Sequence, residues 1–382
     1  MKIFFRTLLP IAILAISLLI PAIYVSAADQ EFSIERMEPL PSLFKSTRYS
    51  GSLNLCGEKI PVHIHDVRER LEKEMLLALW DRAQVILWIK RASQYFPHME
   101  RILKEEGLPD ELKYVAVIES GLRANAGSSK GAVGFWQFIP DTARRFGLRV
   151  DSSIDERRNL FKSTRAACAY LKKLYGQFNS WALAMAAYNM GESGLSNEIS
   201  FQEINDYYQL YLYLETQRYV FKVIAAREIM ENPGKYGFNY TSEDLYPVMQ
   251  FSKVNLNLPS RIPLTLIASA AETTFKEIKD LNPDIRGYHL TSGKYEIFVP
   301  HGRERGFERA FSNSYSSWKQ KNSSSGNSGS STSKKYHVVR KGEGLSMIAQ
   351  RYGVPLSTLL GWNNLKKNSV IHPGDRLIIY TK

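Results

Sequence analysis

Glu119 closes an apolar run, Tyr114-Val115-Ala116-Val117-Ile118, and is followed by a stretch of mostly small and polar residues, Ser120 to Gly134. The run predicts a half-buried helix, and the glycines, serines and asparagine after it predict where that helix stops. A carboxyl group at an apolar helix end loses hydration, which disfavours its charged form and lifts its pKa toward the working pH. That is the property of a general acid. The competing reading is a Glu of the last turn that points at solvent. Elsewhere chemistry-bearing residues are sparse. His63 and His65 alternate along one face of an extended segment, but no further ligand lies at metal spacing. Polar residues near a helix start account for them, and no metal site is predicted. Cys56 and Cys168 are the two cysteines, and their pairing cannot be read from sequence; Cys168, inside TRAACAYLKKLY, fits a small core residue better than a reactive thiol.

Helices must position the acid. Val67, Leu71 and Met75 share a face at i, i+4 spacing, and the apolar segment Leu79 to Ile89 continues the pattern toward Leu103. Pro97 predicts a break into two helices, the second with Met99, Ile102 and Leu103 on one face. Pro140-Asp141-Thr142 reads as a further helix start, with the Asp141 carboxylate capping free amides. Thr164 to Glu231 is helical in pattern, stopped by Asn189-Met190-Gly191 and Asn232-Pro233-Gly234. Beyond Gly237 the pattern turns to short strands, Pro247 to Leu258 and Tyr295 to Pro300. A repeat emerges there. Leu264 to Ile297 aligns without a gap to Leu345 to Ile378, with identities at Leu264/Leu345, Ile267/Ile348, Ala268/Ala349, Asn282/Asn363, Gly293/Gly374 and Ile297/Ile378. Phe275/Leu356, Ile278/Leu359, Leu281/Trp362 and Leu290/Ile371 keep the apolar pattern. Lys319 to Lys335, dominated by Ser, Gly and Asn, predicts a flexible coil spanning roughly 20 to 25 Å.

Four short stretches, in order over about a hundred residues, resemble the signatures of the soluble lytic transglycosylase catalytic domain. They are Glu119-Ser120, GFWQF from Gly134 to Phe138, AYN from Ala187 to Asn189, and ETQRYV from Glu215 to Val220. The pattern is similar to the membrane-bound lytic transglycosylase D type, in which such a domain precedes C-terminal LysM modules. The resemblance implies a mainly α, lysozyme-like catalytic domain followed by small α+β (βααβ) LysM-like modules. It also implies cleavage of the MurNAc-GlcNAc β-1,4 bond with formation of 1,6-anhydromuramyl ends, Glu119 acting as acid and then base. Ser128, Gln137, Tyr188, Asn189 and Tyr219 match substrate-binding positions, and Ser120 and Glu215 match supporting ones. Tyr188 and Tyr219 fit core aromatics equally well. GFWQ stands where the family usually has GLMQ, so Phe135 and Trp136 either shape a saccharide subsite or pack under the loop. Glycosidases of the usual kind pair two carboxylates. None lies between Glu119 and Asp141, Asp141 reads as a cap, and Asp151, Asp155 and Glu156 read as solvated loop charges, so a single-acid reaction is expected. No cofactor is implied. The alternatives are a hydrolytic muramidase and a non-catalytic wall-binding protein.

The second repeat copy, Tyr336 to Leu365 with Ile371 to Ile379, looks like a LysM module, a βααβ unit that binds N-acetylglucosamine chains. Gly342, Glu343, Gly344, Leu345, His372 and Pro373 are its candidate glycan-binding residues. The first copy looks like a degenerate module, with Arg261-Ile262-Pro263 in place of Gly342-Glu343-Gly344, and a structural role is expected for it. A chain of 382 residues, 44% of them apolar, has room for several globular domains. The expected layout is a signal peptide (1–27), a helical scaffold (28–106), the catalytic domain (107–238), a degenerate LysM-like module (245–301), a Ser/Gly-rich linker (302–335) and a LysM module (336–382). Lys2 and Arg6 precede an apolar run, Leu8 to Tyr24, and Val25-Ser26-Ala27 offers a cleavage site; an uncleaved anchor also fits the run's length. No cysteine lies near the junction for lipid attachment, so an unanchored, exported protein of the periplasm or cell envelope is expected. The formal charge is +12, or about +10 without residues 1–27, which favours polyanionic surfaces such as a bacterial wall. No compact Lys/Arg cluster, zinc-finger spacing or RNA-binding signature points to nucleic acid. The expected partner is the peptidoglycan glycan strand, and the expected state is a monomer.

Overall fold

The computed structural model describes residues 40–48, 51–324, 333–366 and 368–381, and is mainly helical. The architecture below belongs to the unit Pro41–Lys382; the signal segment expected at 1–27 lies outside the described residues. A short helix α1 (Leu43–Ser46) and a hairpin of β1 (Leu53–Leu55) and β2 (Glu58–Ile60) lead into α2 (His65–Trp80) and α3 (Arg82–Glu105). The chain breaks at Asp81, whose side chain accepts the Gln84 N–H and caps α3, and not at Pro97, which sits inside α3. Proline there removes one amide and crowds the preceding turn. Ala92, Phe96, Met99, Ile102 and Leu103 are nevertheless buried on both sides of it, and this continuous apolar face keeps the helix whole.

Six more helices complete this domain: α4 (Lys113–Ser120), α5 (Pro140–Arg145), α6 (Leu160–Phe178), α7 (Trp181–Met190), α8 (Glu192–Gln202) and α9 (Leu214–Glu231). α5 starts at Pro140, but Asp141 does not cap it. It lies two residues past the capping position, Ile139, inside the first turn, where its charge suits the helix dipole and its carboxylate pairs with Arg144 at 3.1 Å. α7 runs through the interior, with Trp181 to Ala187 all buried. α2 and α3 contribute to the same apolar cluster as α4, α6, α7 and α9, so the N-terminal helices and the motif-bearing ones are packed as one core. Cys56, half-buried, and Cys168, buried in α6, are separate thiols. Among the described residues no helix is long and apolar enough to cross a membrane.

Two βααβ copies follow. In the first, β3 (Ser252–Leu258) is followed by β4 (Ile262–Pro263), α10 (Leu264–Ala270), α11 (Phe275–Leu281), β5 (His289–Leu290) and β6 (Gly293–Val299), and β3 pairs antiparallel with β6. α12 (Phe307–Ser324) then occupies much of the expected linker, including the start of the expected coil at Lys319. Phe307, Phe311, Tyr315 and Trp318 recur at i, i+4 or i+3 spacing and pack on the first copy's core, and this stripe outweighs the helix-poor Ser and Asn content around it. The second copy has β7 (Ser333–Val338), α13 (Leu345–Arg351), α14 (Leu356–Trp362) and β8 (Arg376–Thr381), with β7 antiparallel to β8. An asparagine with the same backbone bonds repeats between the copies, buried at Asn282 and half-buried at Asn363. Asn282 donates Nδ2 to the Ile278 and Phe298 carbonyls and accepts the Phe298 N–H, while Asn363 does the same with Leu359 and Ile378. Phe298, not Ile297, is therefore the counterpart of Ile378, and the gapless alignment slips by one residue before the last strand. Burial agrees, with Ile297 and Val299 buried in β6 as Leu377 and Ile379 are in β8. A one-residue slip would have turned every side chain to the wrong face.

Candidate active site

α4 ends where its apolar face ends. Gly121, at φ +57°, turns the chain in the left-handed conformation that favours glycine. Two arginines take the carbonyls at this end, Arg91 donating to Gly121 O and Arg123 Nε to Ser120 O, both at 2.9 Å. With Tyr114 to Val117 buried, Glu119 is pinned half-buried at the helix end. Its Oε1 accepts a hydrogen bond from the Tyr219 hydroxyl of α9 at 2.5 Å. Burial lifts the Glu119 carboxyl to about 7; the Tyr219 hydroxyl pulls it down, the Glu215 charge adds to the rise and Lys222 opposes it. The carboxyl opens onto a groove of about 280 Å³ whose apolar walls include Leu77, Ala78, Trp88, Ile118 and Ala225.

Three further acids stand near Glu119, of which the resemblance names Glu215 as a supporting residue. Glu74, Asp81 and Glu215 line the same groove, the first two from α2 and its junction with α3, which carry none of the motifs. Each has a partner. Glu74 is buried in a two-point ion pair with Arg218 of α9, at 2.5 and 2.9 Å. Asp81 caps α3, and Glu215, exposed at the rim, pairs with Lys222 at 2.8 Å. Asp81 carried a readable signal, an Asp-x-x-Gln capping pattern with Gln84. Glu74 carried none, because its partner lies 144 residues away.

Of the motif residues, Asn189, Glu215 and Tyr219 join Glu119 in the groove. Asn189 Oδ1 accepts from Thr216 Oγ1 at 2.8 Å. Ser120, Ser128, Gln137 and Tyr188 lie outside that lining and build the neighbouring loop. The buried Ser120 hydroxyl lies 2.8 Å from Phe135 O and 3.0 Å from Ala116 O. Tyr188 donates to Trp136 O at 2.7 Å, and Gln137, at φ +48°, donates Nε2 to Gly134 O at 2.8 Å and to Ala126 O at 3.3 Å. Ser128 is exposed at the loop tip, its hydroxyl accepting the Ala132 N–H at 3.2 Å. Phe135 and Trp136 are buried, with the indole N–H donating to Thr164 Oγ1 at 3.0 Å, so they pack under the loop and do not form a sugar platform.

The second copy's candidates divide in the same way. Gly342, Gly344, His372 and Pro373 are exposed, and Leu345 is half-buried at the start of α13. Glu343 faces inward instead. Its carboxylate accepts from the Arg340 N–H (2.9 Å) and from His337 Nε2 (2.8 Å) and pairs with Arg351. The Arg340 amide is the largest of the effects that hold it down at about 2. Glu343 is thus a strut of its loop, and the glycan-binding assignment is withdrawn for it. Among the described residues no group of His, Cys, Asp and Glu could hold a metal ion.

Residues 97–210 match the Transglycosylase SLT domain family, and residues 337–379 match the LysM domain family. The chain carries an SLT transglycosylase domain and a LysM domain. It is 30% identical over 295 residues to the membrane-bound lytic murein transglycosylase D of Escherichia coli (strain K12), covering 76% of this chain and 64% of that one. It thus spans less than two thirds of that relative's length. The peptidoglycan transglycosylase gp16 of Escherichia phage T7 is 41% identical over 90 residues, 23% of this chain and 7% of that one. The solved 70 kDa soluble lytic transglycosylase of Escherichia coli overlaps 48% of this chain and 33% of its own, at 18% identity and a TM-score of 0.33. The SLT match contains Glu119 and Asn189, whereas Glu74, Asp81, Glu215 and Tyr219 lie outside it.

Proposed function

We propose that this chain is an exported lytic murein transglycosylase of the cell envelope, cutting peptidoglycan between N-acetylmuramic acid and N-acetylglucosamine. The observation that carries the reading is a Glu119 carboxyl raised to about 7 inside a groove of an SLT-type helical domain. A carboxyl with that pKa is partly protonated near neutrality and suits both donation and removal of a proton. Tyr219 occupies Oε1, so the travelling proton is carried on Oε2. Glu119 gives it to the glycosidic oxygen as the bond to the muramyl anomeric carbon breaks. The substrate's own N-acetyl carbonyl supports the positive character left at that carbon. The Glu119 carboxylate then takes the C6 hydroxyl proton as that oxygen attacks, closing a 1,6-anhydro ring without consuming water. Asn189 is placed to orient the sugar, and the exposed glycines of the LysM domain to hold the polymer.

The acids at Asp81 and Glu215 favour one rival, a hydrolytic muramidase in which a second carboxylate activates water. Mass spectrometry of digested wall separates the two. The expected result is anhydro ends from the wild type and no cleavage by Glu119→Gln. Reducing ends without anhydro products would establish the hydrolase, and undiminished digestion by Glu119→Gln would remove this residue from the chemistry.

A further inference from the structure

The loop that carries Ser128 and Gln137 is held from beneath by a segment whose other end belongs to the first βααβ copy. Arg157 is the pivot. Its buried guanidinium donates Nη1 to Gly131 O (2.8 Å) and Phe138 O (2.9 Å) and is gripped at two points by the buried Asp155 carboxylate, at 2.8 and 2.9 Å. Gly134 lies so close to the Arg157 backbone that a Cβ there would sit 1.8 Å from its carbonyl oxygen. Arg158 adds a bond to Asn125 Oδ1 at 2.7 Å.

The same segment is docked on its far side. Ile154 is buried within the first copy's apolar cluster and forms a bridge with Ile285. The Asp155 N–H donates to Asp284 O and the Arg286 N–H to Ser153 O, both at 2.8 Å. Five consecutive residues, Ser153 to Arg157, therefore join the copy to the loop. Asp155 belongs to both halves, its amide bound to the copy and its carboxylate to Arg157. Without that carboxylate Arg157 would be a buried, unpaired cation, a state that drives rearrangement.

We infer that the first βααβ copy is a positioning element for the active-site loop, acting through Ile154, Asp155 and Arg157, and not a glycan-binding module. The inference rests on the reaction proposed above. None of the three is a catalytic residue. They fix the loop whose Phe135 carbonyl binds the Ser120 hydroxyl, next to Glu119, and whose Trp136 carbonyl binds Tyr188, and a displacement of about 1 Å in a catalytic assembly can cost roughly a hundredfold in rate.

Ile154→Ser and Asp155→Asn in the full chain test this, on soluble glycan-strand fragments with kcat and KM separated. Ile154 takes no part in the helical domain's apolar cluster, so its replacement frees the 153–157 segment from the copy without opening that core, while Phe161 still packs on Phe298. Both variants are expected to lose roughly ten- to a hundredfold in kcat with little change in KM; Ile154→Ser leaves the helical domain's melting temperature unchanged, whereas Asp155→Asn lowers it by stranding Arg157. Amide hydrogen exchange is expected to quicken from Ala126 to Phe138, and Asp155→Glu to recover part of the rate. Faster exchange at the Asp155 and Arg286 amides with kcat and the loop unchanged would overturn the inference, because the segment would have come free of the copy without consequence. A kcat loss in Ile154→Ser that merely follows a lower melting temperature of the helical domain would overturn it too. A wild-type chain that leaves the fragments intact would instead defeat the proposed reaction, while exchange at the loop still decides whether the copy positions it.

Discussion

Glu119 is raised because the chain buries a carboxyl that water would otherwise hold in its charged form, and this has a consequence for folding. A carboxyl whose folded pKa is about 7, above its ordinary 4.5, binds its proton more tightly in the folded chain than in the unfolded one. Its effect on stability is nil below the ordinary pKa, grows unfavourable as pH rises to about 7, and stays so above. Glu119→Gln removes the ionisation and keeps an acceptor for the Tyr219 hydroxyl. Its stability is expected to match the wild type's at about pH 4 and to exceed it at about pH 8 by on the order of 3 kcal/mol, read as a higher melting temperature. Identical melting at both would mean that Glu119 is solvated. Tyr219 offers a second check. Its hydroxyl favours the ionised carboxylate, so Tyr219→Phe pushes the Glu119 pKa further up. If protonated Glu119 starts the reaction, kcat/KM declines as that proton is lost, and the declining limb of the pH profile is expected to move to higher pH in the variant. A limb that does not move would belong to another group.

At the level of elements, α7 shows how distant parts of the chain meet at the site. It carries Tyr188 and Asn189 at its C-terminal end, while its other end is held by Glu58 of β2. Glu58 accepts from the Trp181 N–H at 2.6 Å and the Ser180 hydroxyl at 3.0 Å, placing a carboxylate on the amides of the helix N-terminus, where it is most favourable. Glu58→Ala is expected to lower stability by about 1 to 2 kcal/mol, with Glu58→Gln losing less, as read from urea midpoints. A neutral Glu58→Ala would show that Ser180 caps α7 unaided. Nothing in the sequence near Glu58 announced this partnership, since a residue before α2 closes a helix more than a hundred positions later. Local pattern served where the determinants were local. The apolar run into Glu119, the strand-helix order of the repeat and the helix start at Pro140 were legible for that reason. Pro97 misled because its local penalty is smaller than the burial of the faces around it, and Ser and Asn around α12 misled because composition hid a four-aromatic stripe. The repeat's one-residue slip became visible only when Asn282 and Asn363 were seen closing the same hydrogen bonds. The groove's far wall was illegible for a related reason: Glu74 matters through Arg218, and that pairing is written in tertiary packing alone.

Among the described residues three apolar clusters divide the labour. The helical domain and the first copy are joined through Ile154 and through Phe161, which packs on Phe251 and Phe298, whereas the second copy keeps a core of its own, including Ile348, Ala349, Leu359, Leu377 and Ile379. Among the described residues it bonds to the first copy through Arg261 Nη1 to Gly353 O and Gln350 Nε2 to Arg286 O, both at 2.8 Å and both exposed. Exposed polar bonds of this kind add little stability, because water competes for each partner. The LysM domain is therefore expected to act as a tether, raising the concentration of the groove at the polymer without shaping the groove itself. A chain ending at Ser324 retains both other clusters and α12, so it tests this directly. Its kcat and KM on soluble fragments are expected to equal those of the full chain, while its co-sedimentation with insoluble wall falls by at least about tenfold. The tether should be least visible at low salt, where the basic charge alone draws the shortened chain to an anionic wall, and most visible near physiological ionic strength, where that attraction is screened beyond about 8 Å. Equal loss of rate on soluble fragments and on wall would contradict the division, because it would mean that the exposed contacts at Arg261 and Gln350 reach the groove after all.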